Sequence, residues 1–372
     1  MLALFACEPG VGAQVTILHS FGDGSVPGDG AGPEAGLIQA PDGNFYGVTI
    51  GQAGKAGANG TVFQMTPAGV LTVIKRFPGQ PLVTPLLYYN KTLIGIVGSS
   101  ATEPNGVLFA VTRNPFGPWS KHFWHKFGST AGDGINPVGG LILGSDGDLY
   151  GTTTGGGSAA SGTIYKLNPK SHKLAVVYSF TSITGTGVLP NTALLQDKNG
   201  NFYGGSEGLY GGDIFEMTPD GLVAPFAGFL ANQFMTGPMI QGSDGNFYLT
   251  FGAPPNETSY PDMVFQLTPA GFGTVLHTFA NQFDVTSGVT QGPNGNLYGF
   301  TSSGGTAGNG TVFEVSTDGS YFNIVHNFGD GTVQNDGAIP NGTMVLGSDN
   351  SLYGTTAAGG SAGLGTVFKI SP

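Results

Sequence analysis

The sequence predicts an all-β, seven-bladed propeller with four-stranded blades, and three observations carry that prediction. An aromatic residue follows a tight-turn sequence at Tyr46, Tyr150, Tyr203, Tyr248, Tyr298 and Tyr353, with Ile94 standing in once, at spacings of 48, 56, 53, 45, 50 and 55 residues. A period of about 51 residues marks a repeat architecture in which each unit packs on its neighbours. Short apolar runs punctuated by Gly, Pro, Asn and Asp recur throughout, and no segment sustains a 3.6-residue periodicity, so helix should be almost absent. Finally, Val15 to Phe21 looks like the last strand of a unit lacking its other three, while the run from Gly365 to Pro372 stops where such a strand should follow. A ring in which the N-terminal strand completes the last blade explains both, and it leaves only short, protected strand edges.

Within a unit the order is strand, tight turn, strand, long loop, strand, turn, strand. Leu37-Ile38 runs into Pro41-Asp42-Gly43-Asn44 and out through Phe45-Tyr46. Asp-Gly or Asn-Gly between apolar runs predicts a type I′ hairpin, which needs positive φ at both central residues. The pair recurs at Asp146-Gly147, Asn199-Gly200, Asp244-Gly245 and Asn294-Gly295, and weakens to Asp349-Asn350 in the last unit. A Pro-x-Gly turn joins third to fourth strands at Pro67-Ala68-Gly69, Pro219-Asp220-Gly221 and Pro269-Ala270-Gly271. The fourth strand then ends at a phenylalanine: Phe21, Phe77, Phe127, Phe180, Phe229, Phe279 or Phe328. Six blades are predicted at 33–77, 82–127, 137–180, 190–229, 237–279 and 287–328, and the seventh at 339–372 plus 15–21. Residues 1–14 read as a leader or signal remnant, and 15–372 as a single propeller. Loops between second and third strands (near 47–60, 95–106, 151–162, 204–213, 249–262, 299–310 and 354–365) should share one face with the loops between blades. That long-loop face is the expected working face, with the short turns on the other.

Composition narrows the function classes. Glycine (67) and proline (24) make up about a quarter of the 372 residues, which suits many short strands and turns. Charged residues are only 9%, and the net charge is −11. The twelve lysines and arginines read as unclustered, which argues against nucleic acid, whose binding needs a basic patch, and against an anionic membrane surface. No run approaches the ~20 apolar residues of a transmembrane helix. The single cysteine, Cys7, rules out an internal disulfide, and the apolar stretch Met1 to Ala6 with Val11-Gly12-Ala13 behind it reads as an export-signal remnant.

The blocks Gly304-Gly305-Thr306-Ala307-Gly308-Asn309-Gly310-Thr311-Val312-Phe313 and Gly347-Ser348-Asp349-Asn350-Ser351-Leu352-Tyr353-Gly354-Thr355-Thr356 resemble the GloVer (Gloeobacter–Verrucomicrobia) tandem repeat. The resemblance covers residues 15–372. It implies a propeller-like fold in an exported bacterial protein with an extracytoplasmic location, and it brings no catalytic residue with it.

Candidate chemistry sits where single blades break the repeat. His19, His125, His277 and His326 all stand two residues before the blade-ending phenylalanine. Four copies of one repeat position cannot converge on one metal ion, so they read as structural. Asp29, Asp133 and Asp336 read either as braces of the inter-blade turn or as a ring at a channel mouth able to hold a cation. Asp197-Lys198-Asn199-Gly200-Asn201 lacks the glycine of a calcium loop, since Phe202 stands at the sixth position, and reads as a hairpin turn. Zinc-type spacing is absent, and Gly155-Gly156-Gly157 opens no Rossmann helix, so neither metal nor cofactor is indicated. Trp124 replaces an aliphatic residue of the fourth strand and reads as inter-blade core. The informative breaks are Ser206-Glu207 to Tyr210 and Asp213 in blade 4, the loop holding Glu257, Tyr260 and Asp262 in blade 5, and Glu103 in blade 2. Carboxylates serve as acid, base or nucleophile, and tyrosine offers a flat apolar face with a polar tip for a sugar ring. Two functions remain open from sequence. The first is an extracytoplasmic, carbohydrate-active propeller binding a polysaccharide on its long-loop face. Its candidate catalytic residues are Glu207, Glu257 and Glu103, as a glycoside hydrolase or polysaccharide lyase, with Tyr210, Tyr260, Asp213 and Asp262 binding substrate. The second is a non-catalytic surface or adhesion module that binds glycan or protein. Oligomeric state is left open by both.

Overall fold

In the computed structural model the described residues are 14–51, 59–114, 117–181, 188–207, 212–228, 233–252, 261–280, 284–285 and 287–371. They form seven antiparallel sheets arranged as a seven-bladed propeller, and all of the regular structure among them is strand. Six blades occupy 38–78, 87–126, 134–179, 188–228, 234–278 and 290–327. The seventh joins Ala338–Leu346, Leu352–Ala358 and Thr366–Ser371 to the N-terminal strand Gln14–Ser20. Val15 pairs with Ile370 and Ser20 with Thr366, and Phe21 N donates to Gly365 O at 3.0 Å. The clasp is therefore as expected, and Gln14, assigned above to the leader, already pairs with Ser371. The export-signal reading of Met1 to Ala13 lies outside the described residues.

The tight turns correct one expectation. Gly43 N donates to Ala40 O at 2.9 Å, Ala40 N donates to Asn44 O at 3.0 Å, and of the turn residues only Gly43 has positive φ (79°). This is a three-residue turn, type I followed by a left-handed residue, rather than the type I′ hairpin. Asp42 Oδ1 accepts Asn44 N at 3.0 Å, and its Oδ2 accepts the Tyr46 hydroxyl at 2.7 Å. The same tyrosine-to-aspartate bond closes the turns at Asp146–Tyr150, Asp244–Tyr248 and Asp349–Tyr353. Where Asn294 replaces the aspartate, and in blade 4 at Tyr203, a third-strand glutamate accepts the hydroxyl instead: Glu216 from Tyr203 and Glu314 from Tyr298, both at 2.8 Å. A two-residue turn with both residues at positive φ occurs in blade 2, at Asn90 (44°) and Lys91 (63°), where Ile94 has no hydroxyl to anchor.

Blades meet through apolar contacts. The blade-ending phenylalanine packs against an aromatic of the next blade's third strand at six junctions: Phe21–Phe63, Phe77–Phe109, Phe127–Tyr165, Phe180–Phe215, Phe279–Phe313 and Phe328–Phe368, with centroids 4.6–5.4 Å apart. Each such pair contributes about 0.5–1.5 kcal/mol beyond the area it buries. Phe229 lies outside the described residues.

The innermost strands carry a shared irregularity. Pairing places Val138 opposite Thr152 and Ile142 opposite Tyr150, so two extra residues bulge from the inner strand. Asn341 and Val345 against Thr355 and Tyr353 show the same excess. In blades 4 and 5 the bulge splits the inner strand into two short pieces, 188–190 with 195–196 and 234–235 with 240–241. These bulges project into a central channel of about 440 Å³ to which every blade contributes. A second-strand threonine often reaches the next bulge: Thr152 Oγ1 donates to Thr192 O at 3.0 Å and Thr250 Oγ1 to Ser287 O at 2.7 Å. Small residues are required here, because a Cβ on Gly139 would lie 2.3 Å from Ala193 N. Only Glu34 among the lining residues is ionisable, and burial pushes its carboxyl up.

Candidate functional site

On the long-loop face the described carboxylates are held separately. Glu103, in the blade 2 loop, pairs with Lys126 of the outer strand at 2.9 Å. In blade 4, Ser206 pairs with Asp213 and Glu207 with Gly212. Side chains alternate along a strand, so Glu207 and Asp213 project from opposite faces of their sheet. Asp213 is half-buried and burial raises its carboxyl. Asp262 accepts the backbone amide of Val285, joining blade 5 to blade 6. Glu257, Tyr210 and Tyr260 lie outside the described residues. Thus Glu207 and Asp213 share a blade, while Glu103 and Asp262 bind their own surroundings.

The histidines and aspartates of the repeat pair with each other. His19 Nε2 lies 2.8 Å from Asp29 Oδ2, His125 Nε2 lies 2.9 Å from Asp133 Oδ2, and His326 Nε2 lies 2.9 Å from Asp336 Oδ2. Each aspartate also accepts backbone amides of its inter-blade loop, Gly22 N for Asp29 and Gly329 N for Asp336. The braced-turn reading is the correct one. Bound to the outer strands, these aspartates form no ring at the channel mouth, and among the described residues no group of His, Cys, Asp and Glu could hold a metal ion. Among the described residues no such aspartate meets His277, which stacks on Phe322 with ring centroids 3.5 Å apart, where burial lowers its pKa.

A cleft of about 660 Å³ opens on the opposite, short-turn face, between blades 2 and 3. One wall comes from the Asn90-Lys91 turn, through Tyr89, Asn90 and Thr92. Its floor comes from Thr112 and the outer strand Ser120–Lys126, through His122, Phe123 and Trp124. The facing wall is the turn between the third and fourth strands of blade 3, through Pro169, Lys170 and His172. Trp124, read as inter-blade core, is half-buried: it packs against the apolar cluster between blades 2 and 3 and stacks on the His172 ring with centroids 4.3 Å apart and planes 18° from parallel.

Two departures from the repeat make this cleft. Blade 2 has a turn one residue shorter than the others. Blade 3 has a turn between its third and fourth strands one residue longer than those of blades 1, 4 and 5, with Asn168 N bonded to Lys173 O and His172 N to Asn168 O. His172 takes φ 55°, the left-handed position before the closing pair that glycine fills in blades 1, 4 and 5 at Gly69, Gly221 and Gly271. A non-glycine residue there costs roughly 1 kcal/mol or more, and such strain concentrates at functional positions. Sequence reasoning missed the cleft, although Trp124, Ile94 and the missing Pro-x-Gly of blade 3 were all visible signals.

Charge distribution also corrects an expectation. Nine of the twelve lysines and arginines fall between Lys75 and Lys173, against four acids, which leaves three basic against nineteen acidic residues elsewhere. The outer edge of blade 1 and blades 2 and 3 are therefore a basic sector in an acidic protein.

A model of the Gloeobacter/Verrucomicrobia repeat matches residues 3–214, 81–285 and 235–372. No protein with a curated description matches the chain. Among solved structures it is similar to the extracellular domain of a hybrid two-component system from B. thetaiotaomicron (12% identity, TM-score 0.58, 95% of this chain and 39% of that one). A GH74 xyloglucanase from Xanthomonas campestris is similar at 16% identity and TM-score 0.62, over 93% of this chain and 52% of that one. An oligogalacturonate lyase in complex with manganese is similar at 11% identity and TM-score 0.57, over 96% and 93%. The chain thus spans about two fifths and about half of the first two. At these identities the likeness is one of fold.

Proposed function

The chain belongs to the Gloeobacter/Verrucomicrobia repeat family, and from that premise we propose that it is an extracytoplasmic, saccharide-binding propeller whose binding site is the cleft between blades 2 and 3. The observation that carries this reading is the Trp124–His172 stack beside Tyr89, bordered by Asn90, Thr92 and Thr112. Flat aromatic faces pack against the C–H face of a sugar ring, and flanking amide and hydroxyl groups bond its hydroxyls. Its volume lies in the range of small-molecule sites. Export accords with what the repeat family implies. Two of the similar proteins are named for saccharide substrates, a xyloglucan and an oligogalacturonate, which accords with the proposal without carrying it. A glycan array probed with the purified chain tests it: binding should survive in Glu207→Gln and fall at least tenfold in Trp124→Ala, as hot-spot tryptophans do. An array with no ligand, or ligands indifferent to Trp124→Ala, would sink the proposal.

One observation favours the catalytic reading on the long-loop face. Asp213 is half-buried with its carboxyl raised, as a proton donor requires. Because Glu207 projects from the opposite face of the sheet, a second carboxylate for Asp213 would have to come from elsewhere on the long-loop face. Unchanged polysaccharide turnover in Asp213→Asn would remove it.

A further inference from the structure

We infer that the saccharide held between blades 2 and 3 is anionic, a uronate-bearing oligosaccharide whose carboxylate meets Lys170 and His172. The inference rests on the proposed saccharide site and specifies its ligand.

Charge pairing in the basic sector supplies the argument. All four acids between Lys75 and Lys173 already have basic partners. Glu103 pairs with Lys126 and Asp133 with His125, while Asp146 and Asp148 lie 3.7 and 3.4 Å from Lys166. Other basic groups are also engaged: Lys75 Nζ donates to Trp119 O, and Lys121 sits over the Phe77 and Phe123 rings. Lys170 is different. Among the described residues it makes no ion pair, and no carboxylate lines the cleft it borders. Lys91 follows Asn90 in the opposite wall, and Lys173 follows His172, neither with a carboxylate partner among the described residues. A cleft whose ionisable rim is lysine and imidazole, in a protein of net charge −11, attracts anions where the remaining surface repels them.

The aromatic floor makes that anion a sugar acid. Inorganic anions gain nothing from Trp124 and Tyr89, and a neutral sugar makes no use of Lys170. A pyranose ring with a carboxylate on its rim uses both: apolar face against the rings, carboxylate toward the lysine, remaining hydroxyls toward Asn90 and the Thr92–Thr112 pair. An acidic peptide would satisfy the charge but leave the aromatic floor without its stacking partner.

The test is isothermal titration of the full chain with tetragalacturonate, with the same oligomer fully methyl-esterified, and with a short polyglutamate. We expect tetragalacturonate to bind at least tenfold more tightly than the ester, and several-fold more tightly at 50 than at 200 mM NaCl. Lys170→Ala should weaken the acid about fivefold to tenfold and leave the ester unchanged. Because Trp124→Ala could perturb blade packing, His172→Gly serves as the second variant. It installs the residue that blades 1, 4 and 5 carry at this left-handed position, so the fold tolerates it, and it too should weaken the acid. If ester and acid bind equally and both lose affinity in His172→Gly, the ligand is neutral: the anionic inference falls and the saccharide site stands. Polyglutamate as tight as tetragalacturonate would overturn the inference by reducing recognition to charge. Failure of every glycan removes inference and site together.

Discussion

Asp336 holds His326 and the next blade at once: its Oδ2 lies 2.9 Å from His326 Nε2, and its carbonyl oxygen accepts the Thr366 hydroxyl at 3.4 Å. The same arrangement recurs around Asp29, which meets His19 through its carboxylate and Thr61 through its carbonyl at 2.9 Å. The outer strand of one blade, the connecting loop and the third strand of the next are thereby tied together. All of these groups are buried, so a missing partner leaves a desolvated polar atom unsatisfied.

Replacing Asp336 or Asp29 by alanine should therefore destabilise the ring by about 1–3 kcal/mol each. Urea unfolding monitored by tryptophan fluorescence measures it. Asp284→Ala, at a junction where His277 stacks on Phe322 instead, is the comparison and should cost less. Equal losses at all three would contradict the braced-junction account.

Removal of residues 1–20 should open the seventh blade, because Gln14–Ser20 supplies its outer strand. The exposed edge of Thr366–Ser371 then offers unpaired backbone for association. Analytical ultracentrifugation should show aggregation or a broadened, less cooperative melt. A monomer with an unchanged melting curve would refute the clasp.

Acid and alkali should each attack the tight turns. Burial alone would raise Asp42, Asp146 and Asp244, but hydrogen bonds from Tyr46, Tyr150 and Tyr248 and from turn amides outweigh it and hold the three below the ordinary carboxylate range. For Asp349 burial is outweighed in the same way by Lys369 and Tyr353. Folded values below unfolded ones give stability that is complete above about pH 4 and lost as pH falls through the depressed values. The tyrosines shift the other way. Burial first, then the carboxylate partner, raises Tyr46, Tyr150, Tyr203 and Tyr298. Their contribution is complete below about pH 10 and disappears as pH rises further, because the unfolded phenols ionise first. The turn groups should thus add no slope to melting temperature between these limits, where the half-buried imidazole of His277 instead costs stability as pH falls below about 6.5, and Tyr46→Phe should reduce the alkaline loss.

Lys126→Ala is expected to leave stability within about 1 kcal/mol, since its pair with Glu103 is solvent-facing, with Lys126 58% exposed. A larger loss in thermal denaturation would mean that Glu103 needs its partner to stay folded.

Much of the molecule was legible in one dimension. Recurrence of the Tyr46 position gave seven units, and Val15 to Phe21 gave the closing strand, because local turn chemistry and strand alternation are written in neighbouring residues. The turn type differs at Asp42-Gly43, where Gly43 alone takes the left-handed conformation and the three-residue turn presents the Asp42 carboxylate to the Tyr46 hydroxyl. Likewise the histidine and aspartate positions were both noticed, but not that His19 grips Asp29. That bond depends on how the loop folds back over the outer strand.

The order of strands, their count and the fastening of the ring were thus determined by sequence alone, as hydrophobic alternation and glycine-bearing turns act over a few residues. Only the tertiary structure decided which exceptions to the repeat meet. Asn90 and His172 are about eighty residues apart in the chain, yet ring closure sets their turns side by side around Trp124. It also sets the blade 2 turn that carries Lys91 opposite the blade 3 turn that carries Lys170. A binding surface made by adjacent blades depends on their packing, and no single repeat contains it.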